Sequence, residues 1–167
     1  MKKSDMEQTE TESALSFNMT VAFIGFFGGL FWSSIGYLSF YLNFSRVGPA
    51  LILMPWAFGD WKNGWLGQVV GILAIAFLSI AVAFIYRLIF AKINKSWPGL
   101  LYGIALWIGV FGLLNPFFPG LKPLMNLDIN TIITNLCIYA VYGLFIGYSV
   151  SYEYHERIIH EAEAIQN

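Results

Sequence analysis

The sequence predicts an all-α, polytopic membrane protein: a four-helix transmembrane bundle made of two hairpins. Three observations carry that. The 167-residue chain is 57% hydrophobic and only 11% charged, where a soluble domain carries roughly 25% charged residues. Its charges are segregated, leaving Ser13 to Ser45, Asn63 to Tyr86, Ser96 to Leu121 and Ile129 to Tyr152 with none. Trp and Tyr, whose rings favour the half-wet membrane interface, gather near the ends of those stretches.

Each stretch is long enough to span. A hydrocarbon core of about 30 Å, at a rise of about 1.5 Å per residue, asks for about 20 apolar residues, and a charge at its centre costs about 2.5–3.5 kcal/mol. Spans are expected near 18–42, 66–89, 98–118 and 129–150. They form a membrane domain over 17–150, between a polar leader at 1–16 and a helical tail at 151–167.

The leader holds four acids against Lys2 and Lys3, and the apolar run after it is too long for a signal-peptide core, so the first span is expected to stay. Val47 to Gly59 is apolar and uncharged, but its 13 residues include Pro49 and Pro55. Even an unbroken helix of that length reaches only about 20 Å. The segment is expected at the outer face, interfacial or re-entrant, with Trp56, Trp61 and Trp65 at headgroup level. The second span ends in Tyr86-Arg87 before a short loop with Lys92 and Lys95. The third ends at Asn115-Pro116, where proline removes a backbone donor; Pro119 and Pro123 follow. The fourth holds Cys137, the only cysteine, which excludes an intrachain disulfide. It continues into a charged tail where Ile158, Ala162 and Ile165 form a contact stripe.

Loop charges orient the chain, because cytoplasmic loops are enriched in Lys and Arg. With both termini inside, Lys2, Lys3, Arg87, Lys92, Lys95 and Arg157 face the cytoplasm, and Arg46, Lys62 and Lys122 face out: six against three. A fifth crossing by Val47 to Gly59 would invert that bias. Cutting the chain near Ser96 leaves two hairpins of the same layout, either a parallel repeat about an axis along the membrane normal or a chance likeness between two short apolar hairpins.

Every expected span contains a Gly-x-x-x-Gly pair: Gly25 and Gly29, Gly67 and Gly71, Gly99 and Gly103, Gly143 and Gly147. Residues four apart share a helix face, and without side chains there two backbones approach closely, which matters in lipid because apolar burial no longer drives association. Ser33 and Ser151 extend two of the stripes. These eight glycines are the expected helix-packing positions, within one chain or between chains.

The polar groups expected at membrane depth are Ser33, Ser34, Ser39, Gln68, Ser79, Asn115, Thr131, Thr134, Asn135 and Ser149, with no ionisable side chain among them. Ion-coupled carriers usually keep one there. Hydroxyls and amides are therefore expected to bond neighbouring helices, with Gln68, Asn115 and Asn135 as the candidate polar pathway if they do not. The sequence has no phosphate-binding glycine loop, no Gly-x-Ser-x-Gly elbow and no paired acids at depth. His155 and His160 are five apart, which takes the second ring off the face that a His-Glu-x-x-His zinc site uses. No catalytic, cofactor or metal residue is expected, and the protein is not expected to be an enzyme. A net charge of −1 gives no basic field for nucleic acid. The expected partner is the lipid bilayer, with a second copy or another membrane protein beside it.

The chain combines a short acidic leader, the Gly-aromatic run Phe23 to Trp32, the Lys95-Ser96-Trp97-Pro98-Gly99 junction, the Asn115-Pro116 break and a Tyr-rich exit into Glu156-Arg157. In these features, over nearly its full length, it resembles the YqhR-type conserved membrane proteins of spore-forming Gram-positive bacteria. The resemblance implies a bacterial plasma-membrane protein and no particular activity. The functional expectation is association through helix packing; the alternative is a small oligomeric transporter or channel for an uncharged or weakly polar solute.

Overall fold

The structure, a computed structural model, describes residues 2–57, 59–93, 95, 97–113, 115–118 and 126–166; for 2–15, 115 and 160–166 it describes the backbone alone. The described elements are helical. Helix α1 runs Lys2–Tyr41, α2 Trp65–Phe90, α3 Trp97–Ile108 and α4 Ile129–Gln166. Ser16–Tyr41, Trp65–Phe90 and Ile129–Ile159 are long and apolar enough to cross a membrane, and a shorter apolar helix, Trp97–Leu113, packs along α4. This is a membrane helical bundle.

The helix ends have local causes. α1 stops because Asn43 takes a left-handed conformation (φ 60°), with the Asn43 amide bonded to the Phe40 carbonyl and the Phe44 amide to that of Ser39. Those two bonds make a Schellman cap, in which Asn is the usual substitute for Gly. α3 starts with Pro98 in its first turn, where a missing amide donor costs nothing.

The end of α3 departs from the span expected at 98–118. Regular α-helix stops at Ile108, a π-helical turn covers Gly109–Leu113, and a 3-10 turn holds Asn115–Phe117. Gly109 and Gly112 weaken the helix there. Pro116 has no amide to bond to the carbonyl four residues back, and its ring crowds that carbonyl. The wider turn carries Phe111 inward, onto the rings of Trp107 (5.6 Å) and Tyr139 (6.1 Å).

Two hairpins, α1–α2 and α3–α4, pack side by side, chiefly through α1 and α4. At one end of the bundle Ser16 to Asn18 of α1 meet the end of α2 and the stretch of α4 around Arg157. Arg87 donates to Asn18 Oδ1, and Arg157 donates to Ser16 Oγ (3.1 Å) and Glu153 Oε1 (2.8 Å). Both guanidiniums lie over the Phe17 ring, at 4.4 and 5.2 Å from its centre, a cation–π arrangement. Above this clamp is the core: Val21, Ala83, Tyr86, Ile146 and Val150 are fully buried.

The connection between α1 and α2 folds at the opposite end. Pro49–Leu53 is a 3-10 turn, and a second one covers Asp60–Asn63. Neither crosses the bundle. The first tucks beside α2, with Pro49 and Ala50 buried, while Trp56 and Trp65 are exposed.

Candidate functional site

The half of the bundle away from the chain termini is hollow. A cavity of about 550 Å³ lies between all four helices. Its walls are Trp32, Ser33 and Gly36 of α1, Ile75, Leu78 and Val82 of α2, Leu106 with Val110 and Phe111 of the α3 segment, and Ile138 and Tyr139 of α4. The α1–α2 connection roofs it with Val47, Pro49, Ile52 and Pro55. Its floor is the hydroxyl pair Ser79 and Tyr142, 2.5 Å apart, beyond which the packed core begins.

Three features build this space. Glycine stripes set how closely the helices approach. Gly25 and Gly29 face Ala76, Ser79, Ile80 and Ala83 of α2, where a Cβ on Gly25 would come within 2.8 Å of the Ile80 backbone. Gly99 and Gly103 face Gly143, Gly147 and the Tyr139 carbonyl across the α3–α4 seam. Gly67 and Gly71 meet no helix: a Cβ on Gly71 would lie 2.8 Å from the Ala50 amide nitrogen, and one on Gly67 2.7 Å from Lys62 Cα. Their stripe seats the roof. Gly71 lies six residues inside α2, about 9 Å along its axis, so the roof dips well below the helix end.

Hydrogen bonds hold the roof in place. The Ala50 amide donates to Gln68 Oε1 (3.1 Å), and Gln68 is buried. Asn135 donates to Ser45 Oγ and to the Thr131 carbonyl, both at 2.8 Å, and the Arg46 amide donates to Thr131 Oγ1 (3.0 Å). The Arg46 side chain pairs with Asp128 at the rim of a smaller polar pocket. Of the candidate pathway, then, Gln68 and Asn135 are bonded to this chain's own backbone and hydroxyl groups, and the Asn115 side chain lies outside the described residues.

The polar groups expected at depth omitted the tyrosines, whose hydroxyls make the bonds between hairpins. Tyr142 reaches Ser79, Tyr102 donates to the Val82 carbonyl (2.7 Å), and Tyr86 approaches Ser151 (3.5 Å). For Tyr142 the available signal was position, since it falls well inside its apolar run, where interfacial anchoring does not explain it. In the cavity wall, the Trp32 indole N–H is buried without a partner among the described residues.

No charged side chain lines the cavity among the described residues. The space is half open, so in a membrane its surroundings supply what fills it. Water is a poor filler, because an ordered water wants about two to four polar partners, and most of the polar groups here are already bonded. Four polar-poor walls, an apolar roof and a floor of two mutually bonded hydroxyls suit an apolar occupant.

The whole chain has known relatives. Residues 1–165 match the family model described as conserved membrane protein YqhR. A protein of Bacillus subtilis (strain 168), "Uncharacterized protein YqhR", is 42% identical over 159 residues, which cover 92% of this chain and 89% of that protein. No solved structure matches.

Proposed function

We propose that this chain, which belongs to the YqhR family of conserved membrane proteins, is a non-enzymatic protein that acts by association in the membrane, with itself or with another membrane protein. The observation that carries this reading is a ridge on α1. Phe23, Phe27 and Phe31 are 57%, 57% and 59% exposed and spaced four apart. They stand on the face opposite Gly25 and Gly29, with the rings of Phe23 and Phe27 6.2 Å apart. The glycine stripes are used inside the chain, so this bulky ridge is what α1 presents outward, and ridges of this spacing interdigitate with those of a neighbouring helix. The internal bonding of Gln68 and Asn135 gives the transporter or channel alternative no support.

Cysteine crosslinking tests the proposal in native membranes. Phe27→Cys in a Cys137→Ser background should give a discrete crosslinked product on oxidation or with a short bifunctional reagent, and Phe31→Ala should reduce its yield several-fold. Monomer alone from cysteines at 23, 27 and 31 would overturn association through this ridge.

The same proposal puts the protein in the bacterial plasma membrane with both termini cytoplasmic. The six-to-three distribution of Lys and Arg supports that orientation, and the meeting of Ser16, Arg87 and Arg157 at one end supports an even number of crossings. Single cysteines at Lys62 and Lys122 should react with an impermeant maleimide on intact cells, while those at Lys95 and His160 should not. Labelling at Lys95 from outside would reverse the orientation.

A further inference from the structure

We infer that the hollow half of the bundle is a binding site for one acyl chain of a membrane lipid, taken sideways from the leaflet at the roofed end. The mouth of the cavity identifies the route. Leu78, Trp56 and Phe117 line it, yet they are 55%, 81% and 69% exposed, so they form its rim, between α2 and the end of α3. These two helices are joined nearer the chain termini, where Tyr102 bonds the Val82 carbonyl and rests edge-on against Tyr86 (5.2 Å) and Phe90 (6.2 Å). Among the described residues α2 and α3 are not otherwise one of the closely packed helix pairs. Leu78 lies 13 residues into α2, about 20 Å along its axis, so the opening reaches the depth of the hydrocarbon core. In a membrane, what meets this mouth is lipid tail.

Size and chemistry select the occupant. A methylene takes up about as much room as a water molecule, roughly 30 Å³, so about 550 Å³ has room for at least one fatty chain. A partner helix about 10–12 Å across would fill that volume with roughly one turn and would have to displace the roof that Gln68 and Gly71 hold. A polar solute would meet walls of Ile, Leu, Val and Phe and a floor closed by Ser79 and Tyr142. The lipid's headgroup stays outside, at the level of Trp56, whose exposed ring suits that interface. This site is on the far side of α1 from the phenylalanine ridge, so it stands or falls independently of association there.

Gly36 provides a clean test, because it lines the cavity and a Cβ placed on it meets nothing within 4 Å. Gly36→Phe should fill the space without disturbing the fold. The full chain would be reconstituted into phosphatidylglycerol vesicles containing a phospholipid with a diazirine near the end of one chain, irradiated, and mapped by mass spectrometry. The wild type should be labelled at Leu106, Val110 or Ile75 inside the cavity as well as at the lipid-facing Phe27. Gly36→Phe should lower the cavity labels at least five-fold and leave the Phe27 label unchanged. Val110→Trp, which fills the space from the other wall, should do the same and serves if Gly36→Phe melts early. Absence of cavity labels in the wild type, or labels that neither filled variant reduces, would overturn the proposal. So would efficient disulfide formation between copies through Val110→Cys, which would make a second chain the occupant.

Discussion

The two halves of this bundle are made from similar residues and end up opposite in density. Toward the chain termini, Val21, Ala83, Tyr86, Ile146 and Val150 leave no exposed surface, and Arg87 and Arg157 close over Phe17. Toward the other end, comparable aliphatic and aromatic side chains surround open space. The difference is in what small residues face. Where Gly99 and Gly103 meet Gly143 and Gly147, one helix backbone lies on another and the seam is dense. Where Gly67 and Gly71 meet the 49–62 connection, the glycines admit a loop, and a loop held at one wall does not fill the middle. Small residues in a membrane helix therefore set closeness of approach without dictating the partner.

The largest effect should come from attacking the dense seam directly. Gly103→Leu would drive a side chain into the Tyr139 carbonyl and the Ala140 backbone, which cannot yield as a flexible side chain does. Overpacking typically costs about 1–3 kcal/mol and more against backbone, so the aggregation midpoint in mild detergent should fall sharply, with little folded protein recovered. Recovery and melting equal to wild type would mean that α3 and α4 are not held as described.

A matched pair sharpens the contrast between halves. Ile146→Ala removes a fully buried side chain and should cost about 2–4 kcal/mol, while Ile138→Ala, at the cavity wall, should cost under about 1 kcal/mol because its neighbours already leave room. Reversible unfolding in mixed micelles reads both. Equal losses would mean the hollow half is filled as tightly as the other.

Gly71→Leu separates seating the roof from joining helices. It should displace the connection at a cost of about 1–3 kcal/mol and expose Ala50, now 3% accessible. In a Cys137→Ser background, Ala50→Cys should then react with maleimide at least ten-fold faster, with crosslinking through Phe27→Cys unaltered. Unchanged reactivity at position 50 would remove Gly71 from this role.

The smallest effect belongs to the floor. Ser79→Ala deletes one hydroxyl bond to Tyr142, and side-chain hydrogen bonds in membrane proteins average about 0.6 kcal/mol. A melting shift of a degree or two is expected. A loss several times larger would show that this pair holds the two hairpins together.

Sequence alone determined the class and the long helices, because both follow from the cost of burying charge and unpaired backbone in lipid, which a residue-by-residue reading captures. It also located the breaks. The short 3-10 turns around Val47 to Gly59 follow from Pro49 and Pro55, and Asn115-Pro116 ends the α3 segment. The tertiary structure decided what depends on rotation and partner. A glycine pair looks alike in sequence whether it faces a helix or a loop, so the separate role of Gly67 and Gly71 appeared only once the connection was in place. The sequence predicts that Gln68 and Asn135 bond neighbouring helices, whereas in the fold they bond the Ala50 amide and the Ser45 hydroxyl of the α1–α2 connection. The cavity has no local signature at all. It lies between α2 and α3 away from their joint at Tyr102, lined by the π turn and the tethered roof, and such a space is a property of the spacing between helices, which no single helix encodes.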